Sequence, residues 1–321
     1  MSLNDLNSEF DKAYKAGEDW AAEAIKQYQQ VLAGAKDPLS VFRKYLIPPT
    51  KNLSEYPVIL AIGDSWFAFW STQDALDILN TRHHVWSAAE RGKTLGQVIG
   101  WPALPPPPVP PFQLESLLHA MCEIAKADDD PATKVRVKAI LISAGGNDIL
   151  DNGDDGAGLL SLVPSQVSFS LVENKASDLI DKKLGQGYAY AAGAVLEASK
   201  VLFKGRAIPV IMHGYADPIP DGRGAGDKGP WIKPHLEASF STLNDRFKFM
   251  QLVIGRLHAL QTHLAKRYKG MFSVDLRPAL TSKIDPPQYK MLWQDELHPT
   301  AAGYQRVAQR YGWELKKVPF Q

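Results

Sequence analysis

Apolar residues recur along this chain in two alternating rhythms. Over residues 3–47, Leu3, Leu6, Phe10 and Tyr14, then Ala21, Ile25, Tyr28 and Leu32, return at near-helical spacing, which predicts one or two amphipathic helices. Their apolar face is expected to pack on its own domain, or alternatively to bury itself in a homo-oligomer. Short β-branched or apolar runs follow at 57–62, 84–88, 137–143, 207–212 and 271–275, and such runs predict five buried parallel strands. Helix-like stretches separate them at 72–80, 112–127, 175–204 and 236–268. Alternation of this kind implies right-handed crossovers, with helices covering both faces of a parallel sheet. Two irregular stretches interrupt the pattern: 101–112, mostly proline, and 214–234, rich in Gly, Pro and Asp. Each is expected either to wall a ligand site or to form a stiff surface loop. No internal repeat and no clear linker divides the chain.

With 321 residues, there is room for one large α/β domain with embellishments or for two small ones, and for a sizeable core. Lys plus Arg (36) nearly balances Asp plus Glu (35), so no net field favours nucleic acid or an acidic membrane surface. The expected partner is therefore a small molecule. Cys122 is the single cysteine, which excludes an intramolecular disulfide framework and suits buried packing in a reducing compartment. The first residues, Met1-Ser2-Leu3-Asn4-Asp5, lack the basic start and apolar run of a secretory signal. No later stretch is apolar for long enough to span a bilayer. The expected location is cytoplasmic, although a chain relieved of its signal would read the same way.

Four short motifs fall at the predicted carboxyl ends of strands, where ligands of such sheets bind. Gly63-Asp64-Ser65-Trp66 follows the first strand, Gly92 the second, Gly145-Gly146-Asn147-Asp148 the third, and Asp295-Glu296-Leu297-His298-Pro299 the fifth. Taken singly, each has a plain reading: an N-cap serine, a turn glycine, a turn asparagine, a solvated loop acid, a capping histidine. Taken together and in order, they supply the parts for acyl transfer. Ser65 would attack an acyl carbonyl. His298, with an imidazole whose ordinary pKa is about 6.5, would take the hydroxyl proton and return it to the leaving alcohol. Asp295, three residues earlier, could orient the ring's other nitrogen. Asn147 would offer its side-chain amide, and Gly92 and Ser65 their backbone N–H groups, to the developing oxyanion. Asp148 is expected to tie down its loop rather than react.

These four blocks resemble those of the SGNH or GDSL hydrolases, a family of esterases and lipases. The resemblance spans residues 57 to about 305 and implies a three-layer α/β/α sandwich around a flavodoxin-like five-stranded parallel sheet. It makes Ser65, Gly92, Asn147 and His298 the family's naming residues, and it divides the chain into a helical extension (1–50) and a catalytic domain (51–321). Two departures stand out: Trp66 replaces the usual leucine after the serine, and Lys93 stands where many members have an acid. The first should alter packing beside the nucleophile, and the second the local charge.

Competing motifs are weaker. Arg91-Gly92-Lys93-Thr94 resembles the end of a phosphate-binding loop, but Ser87 occupies the place of its first glycine. The acidic run Asp151 to Gly156 suggests a calcium loop, but Leu162 sits where a closing Glu is needed. No histidine spacing suggests a metal, so neither metal nor cofactor is expected. Aromatic residues gather around the motifs, and Trp66, His213, Tyr215 and Trp293 are expected to line a substrate pocket suited to acyl or alkyl groups. The expected activity is hydrolysis of small carboxylic esters through an acyl-enzyme. The alternatives are a carbohydrate deacetylase or thioesterase on the same site, or a ligand-binding protein that has lost turnover because Trp66 crowds the serine.

Overall fold

The structure is a computed structural model that describes residues 3–35, 39–48, 56–69, 73–101, 112–127, 135–150, 158–160, 174, 176–280, 284 and 288–318. Most of the proline-rich stretch (102–111), the acidic run Asp151 to Gly156, and Trp70 lie outside the described residues. Five strands form one parallel sheet: β1 (Val58–Gly63), β2 (His84–Ser87), β3 (Val137–Ser143), β4 (Val210–Gly214) and β5 (Met271–Asp275). Their order is β2-β1-β3-β4-β5, the flavodoxin-like arrangement. Every residue of β1 and β4 is buried, as expected for strands covered on both faces. At the β5 edge the burial is partial, and Phe272 is exposed.

The long helices fill the layers on either side. α1 (Leu3–Ala33), α2 (Gln113–Ala127), α3 (Gly185–Leu202) and α4 (Leu243–Arg267) belong to one side, where α3 packs against both α2 and α4. α3 is entered through a π-helical stretch, Ser177–Leu184. α4 starts later than the apolar pattern predicts, because Thr242 caps its first turn by accepting from the Asp245 N–H (3.1 Å) and the chain before it forms a separate turn, Lys233–Leu236. α5 (Ala301–Lys317) packs with the short helix Ala75–Leu79 and touches β5. It is absent from the predicted elements, although its buried Tyr304, Val307, Ala308, Tyr311 and Leu315 keep helical spacing. Its mostly polar remaining face masks that stripe.

α1 lies along α3, with Phe10, Ala13, Gly17, Ala21, Ile25 and Leu32 turned inward. The backbones approach so closely that a Cβ at Gly17 would stand 2.1 Å from the Tyr190 carbonyl oxygen, and one at Gly193 2.1 Å from that of Tyr14. Asp11 and Arg267 pair across α1 and α4, which holds the Asp11 carboxyl below its ordinary range. The buried face of α1 is thus covered by the chain's own helices. No helix among the described residues is long and apolar enough to cross a membrane.

Candidate active site

β1 delivers its carboxyl end into a tight turn in which the Phe67 N–H donates to the Asp64 carbonyl (3.1 Å). Gln113, buried at the start of α2, clamps the preceding peptide from both sides. It accepts from the Gly63 N–H (2.6 Å) and donates to the Gly63 carbonyl (3.0 Å). Ser65 sits at the head of this turn, half-buried on the wall of a cleft of about 970 Å³. That volume is at the upper end of what small-molecule sites occupy.

Across the cleft, the block from Trp293 to Pro299 folds back on itself, with the Gln294 N–H donating to the His298 carbonyl (2.9 Å). Within it the fully buried Asp295 accepts from the N–H groups of Leu297 (2.7 Å) and His298 (2.8 Å), which fixes its carboxylate in one direction. The same carboxylate meets His298 Nδ1 at 3.0 and 3.1 Å, and His298 Nε2 lies 2.9 Å from Ser65 Oγ. An ionised carboxylate can only accept, so Nδ1 carries the proton and Nε2 is left to accept from the serine hydroxyl. Phe69 stacks on the imidazole at 4.4 Å, and the edge of Trp231 meets it at 5.6 Å, so the ring is packed on two sides.

Gly92 and Asn147 line the same cleft as Ser65. Gly92 takes φ of 72°, and a Cβ there would meet nothing within 4 Å, so backbone conformation rather than space calls for glycine. Asn147 lies in the short helix Gly146–Ile149 and donates one amide proton to the Lys93 carbonyl (3.0 Å). The second proton on that nitrogen is available to a ligand. Asp148 accepts from the Leu95 N–H (2.8 Å), tying the loop after β3 to the loop after β2. Burial pushes its carboxyl up to about 7, with that N–H pulling the other way. Lys93, where the resemblance leads one to expect an acid, pairs with Glu90 at 3.1 Å.

Two of the four expected binding residues line the cleft, Trp66 and Tyr215. The other two do not, which corrects the sequence reading. His213 is fully buried behind Trp66, with ring centroids 5.6 Å apart, and burial holds its imidazole neutral by pushing the pKa down to about 3. Trp293 is also fully buried, packed edge-on against Trp66 at 6.2 Å. Trp66 itself is 5 % exposed, its ring lodged between Tyr215, Tyr304, His213 and Trp293.

Sequence reasoning gave no role to Glu296. Its buried carboxylate accepts from four backbone N–H groups: Gly222 (2.9 Å) and Lys233 (3.1 Å) on one oxygen, Trp231 and Ile232 (each 2.7 Å) on the other. Burial raises its pKa and the four N–H contacts oppose the shift. Arg223 donates to the carbonyls of Trp293 (2.7 Å) and Gln294 (3.0 Å). Together they fasten the Gly/Pro-rich 214–234 stretch onto the histidine block, and Ala225, Lys228 and Trp231 become part of the cleft wall. The cleft is mixed in character, with Glu90, Arg91 and Lys93 after β2, and Ile149, Leu150, Met250 and Ile254 after β3 and along α4.

No protein-family model matches the chain, and no curated protein matches it. Among solved structures it is similar to a GDSL-like lipase from Bacteroides thetaiotaomicron, at 13% identity over 92% of this chain and 98% of that one, with a TM-score of 0.40. It is similar to a carbohydrate acetylesterase from Sinorhizobium meliloti at 15% identity over 82% of this chain and 100% of that one, TM-score 0.43. It is also similar to the aryl esterase of M. Smegmatis at 14% identity over 82% and 100% of the two chains, TM-score 0.44. At these identities and scores the functional reading rests on the residues of this chain.

Proposed function

We propose that the protein is a serine hydrolase of small carboxylic esters, working through an acyl-enzyme. The observation behind this is the unbroken relay from Asp295 through His298 to Ser65 Oγ, with both contacts near 3 Å, opening on a cleft. Ser65 Oγ attacks the ester carbonyl carbon as its proton passes to His298 Nε2. Asp295 stabilises the imidazolium and keeps its orientation. The carbonyl oxygen, now negative, accepts from the N–H groups of Ser65 and Gly92 and from the free amide proton of Asn147. Each such donor is worth roughly 3–4 kcal/mol of transition-state stabilisation. As the tetrahedral centre collapses, the C–O bond to the alcohol breaks and His298 returns the proton to it. Water then repeats the sequence on the acyl-enzyme and releases the acid.

The mixed lining of the cleft supports a neutral acyl or alkyl group on one side and a polar one on the other. The same machinery would serve a carbohydrate acetyl ester or a thioester, which differ only in the leaving group. The test is acid release from short-chain aryl esters by wild type and by Ser65→Ala. A loss of several orders of magnitude is expected, and equal rates would remove Ser65 as the nucleophile.

A further inference from the structure

Tyr215 follows β4 and lines the cleft, and its hydroxyl is engaged by the protein's own loops. It donates to Asp64, 151 positions away, and accepts from the Gly146 N–H at 3.1 Å. Both partners neighbour residues of the proposed chemistry. Asp64 precedes the nucleophile, and its carboxylate also accepts from the Trp66 N–H (3.1 Å) and the Ser143 hydroxyl (2.7 Å), so its oxygens brace the turn that presents Ser65. Gly146 precedes Asn147, the side-chain donor of the oxyanion site. The ring could not come this close to any other residue: a Cβ at position 146 would stand 2.8 Å from Tyr215 Cζ. Asp64 and Tyr215 are both buried, 1 % and 5 % exposed, so water competes little for these bonds.

Resting on the esterase reading, we infer that Tyr215 is a positioning residue: its hydroxyl, bridging Asp64 and the Gly146 N–H, fixes the loop carrying Asn147 relative to the turn carrying Ser65. The oxyanion that forms at the attacked carbon needs its donors already aimed, and a misplacement of about 1 Å can cost about a hundredfold in rate. Removing the hydroxyl leaves the Gly146 N–H unpartnered and Asp64 short of one donor, and lets the two loops drift apart. Ground-state binding by the cleft walls is unaffected, so the loss belongs in kcat and not in KM.

A double-mutant cycle with Asn147→Ala tests this, alongside amide hydrogen exchange and a buried-hydroxyl control, Tyr311→Phe. Tyr311 is fully buried, and its hydroxyl has no partner among the described residues. Tyr215→Phe is expected to lower kcat by about tenfold to a hundredfold with KM within about twofold of wild type. In an Asn147→Ala background the same change should cost less than about twofold, because the donor it positions is already gone. Exchange at the Gly146 amide should accelerate at least about tenfold in Tyr215→Phe and stay unchanged in Tyr311→Phe. Equal losses in both backgrounds, an unchanged kcat, or unchanged Gly146 exchange would overturn the inference. The exchange comparison needs no turnover, so it judges the bridge even if wild type hydrolyses no ester, an outcome that would sink the esterase reading by itself.

Discussion

Glu296→Gln puts the greatest demand on the least conspicuous part of the site. The carboxylate is fully buried, and each oxygen serves two backbone N–H groups, Gly222 and Lys233 on one, Trp231 and Ile232 on the other. Glutamine has the same shape but replaces one oxygen with an NH2 donor. Whichever way the amide turns, two backbone donors then face a third. A buried donor stripped of its acceptor costs about 1–3 kcal/mol, so the substitution should destabilise by about 2–6 kcal/mol, toward the lower end if the loop escapes into water. Urea unfolding followed by circular dichroism reads this as a lower midpoint at unchanged slope. If the loop escapes, trypsin gains access to Arg223 and Lys228 before the rest of the chain is cut, and KM rises because Ala225, Lys228 and Trp231 no longer complete the cleft wall. An unchanged midpoint together with unchanged cleavage in the 222–233 stretch would refute the idea that Glu296 fastens this loop.

Two further predictions concern other links. Because burial sets the Asp148 carboxyl at about 7 in the fold, against about 3.9 in an unfolded chain, the folded state holds the extra proton between those values. Its contribution to stability is therefore full below about pH 4, shrinks as pH rises, and is gone above about pH 7, on the order of 4 kcal/mol in all. Asp148→Asn, which keeps an acceptor for Leu95, should flatten that part of the pH–stability curve, and a curve as steep as that of wild type would contradict the assignment. Gly17→Ala should cost at least about 2 kcal/mol, because its Cβ would fall 2.1 Å from the Tyr190 carbonyl and force α1 off α3. A thermal midpoint within a degree of wild type would show that α1 can shift freely.

Local patterns made much of the fold legible. β1 and β3 announce themselves as short unbroken apolar runs, and the Ser65, Gly92 and Asn147 blocks follow strands directly, so sequence order alone places them at one edge of the sheet. The pairing of Asp295 with His298 follows from three-residue spacing within one turn. What could not be read is what depends on distant approach or on which way a side chain turns. His213 and Tyr215 are two apart, so strand alternation would put them on one face. They do share a face, with rings 4.8 Å apart and both against Trp66, but His213 lies within β4 and is fully buried, while Tyr215, just past the strand end at Gly214, reaches the cleft wall. Glu296 carries no signal of its role in the sequence because its partners lie 63 to 74 positions earlier. Trp231, which packs against His298, is separated from it in sequence by the whole of α4 and β5 and belongs to a loop without apolar rhythm.

Whether one hydroxyl forms the covalent intermediate can be read by mass spectrometry. Wild type and His298→Ala would be treated with a fluorophosphonate, an electrophile that traps activated serines, and the adduct located by peptide sequencing. A single adduct on Ser65 is expected in wild type, slowed by orders of magnitude in His298→Ala. An adduct on another residue, or labelling of Ser65 at the same rate without the imidazole, would contradict it.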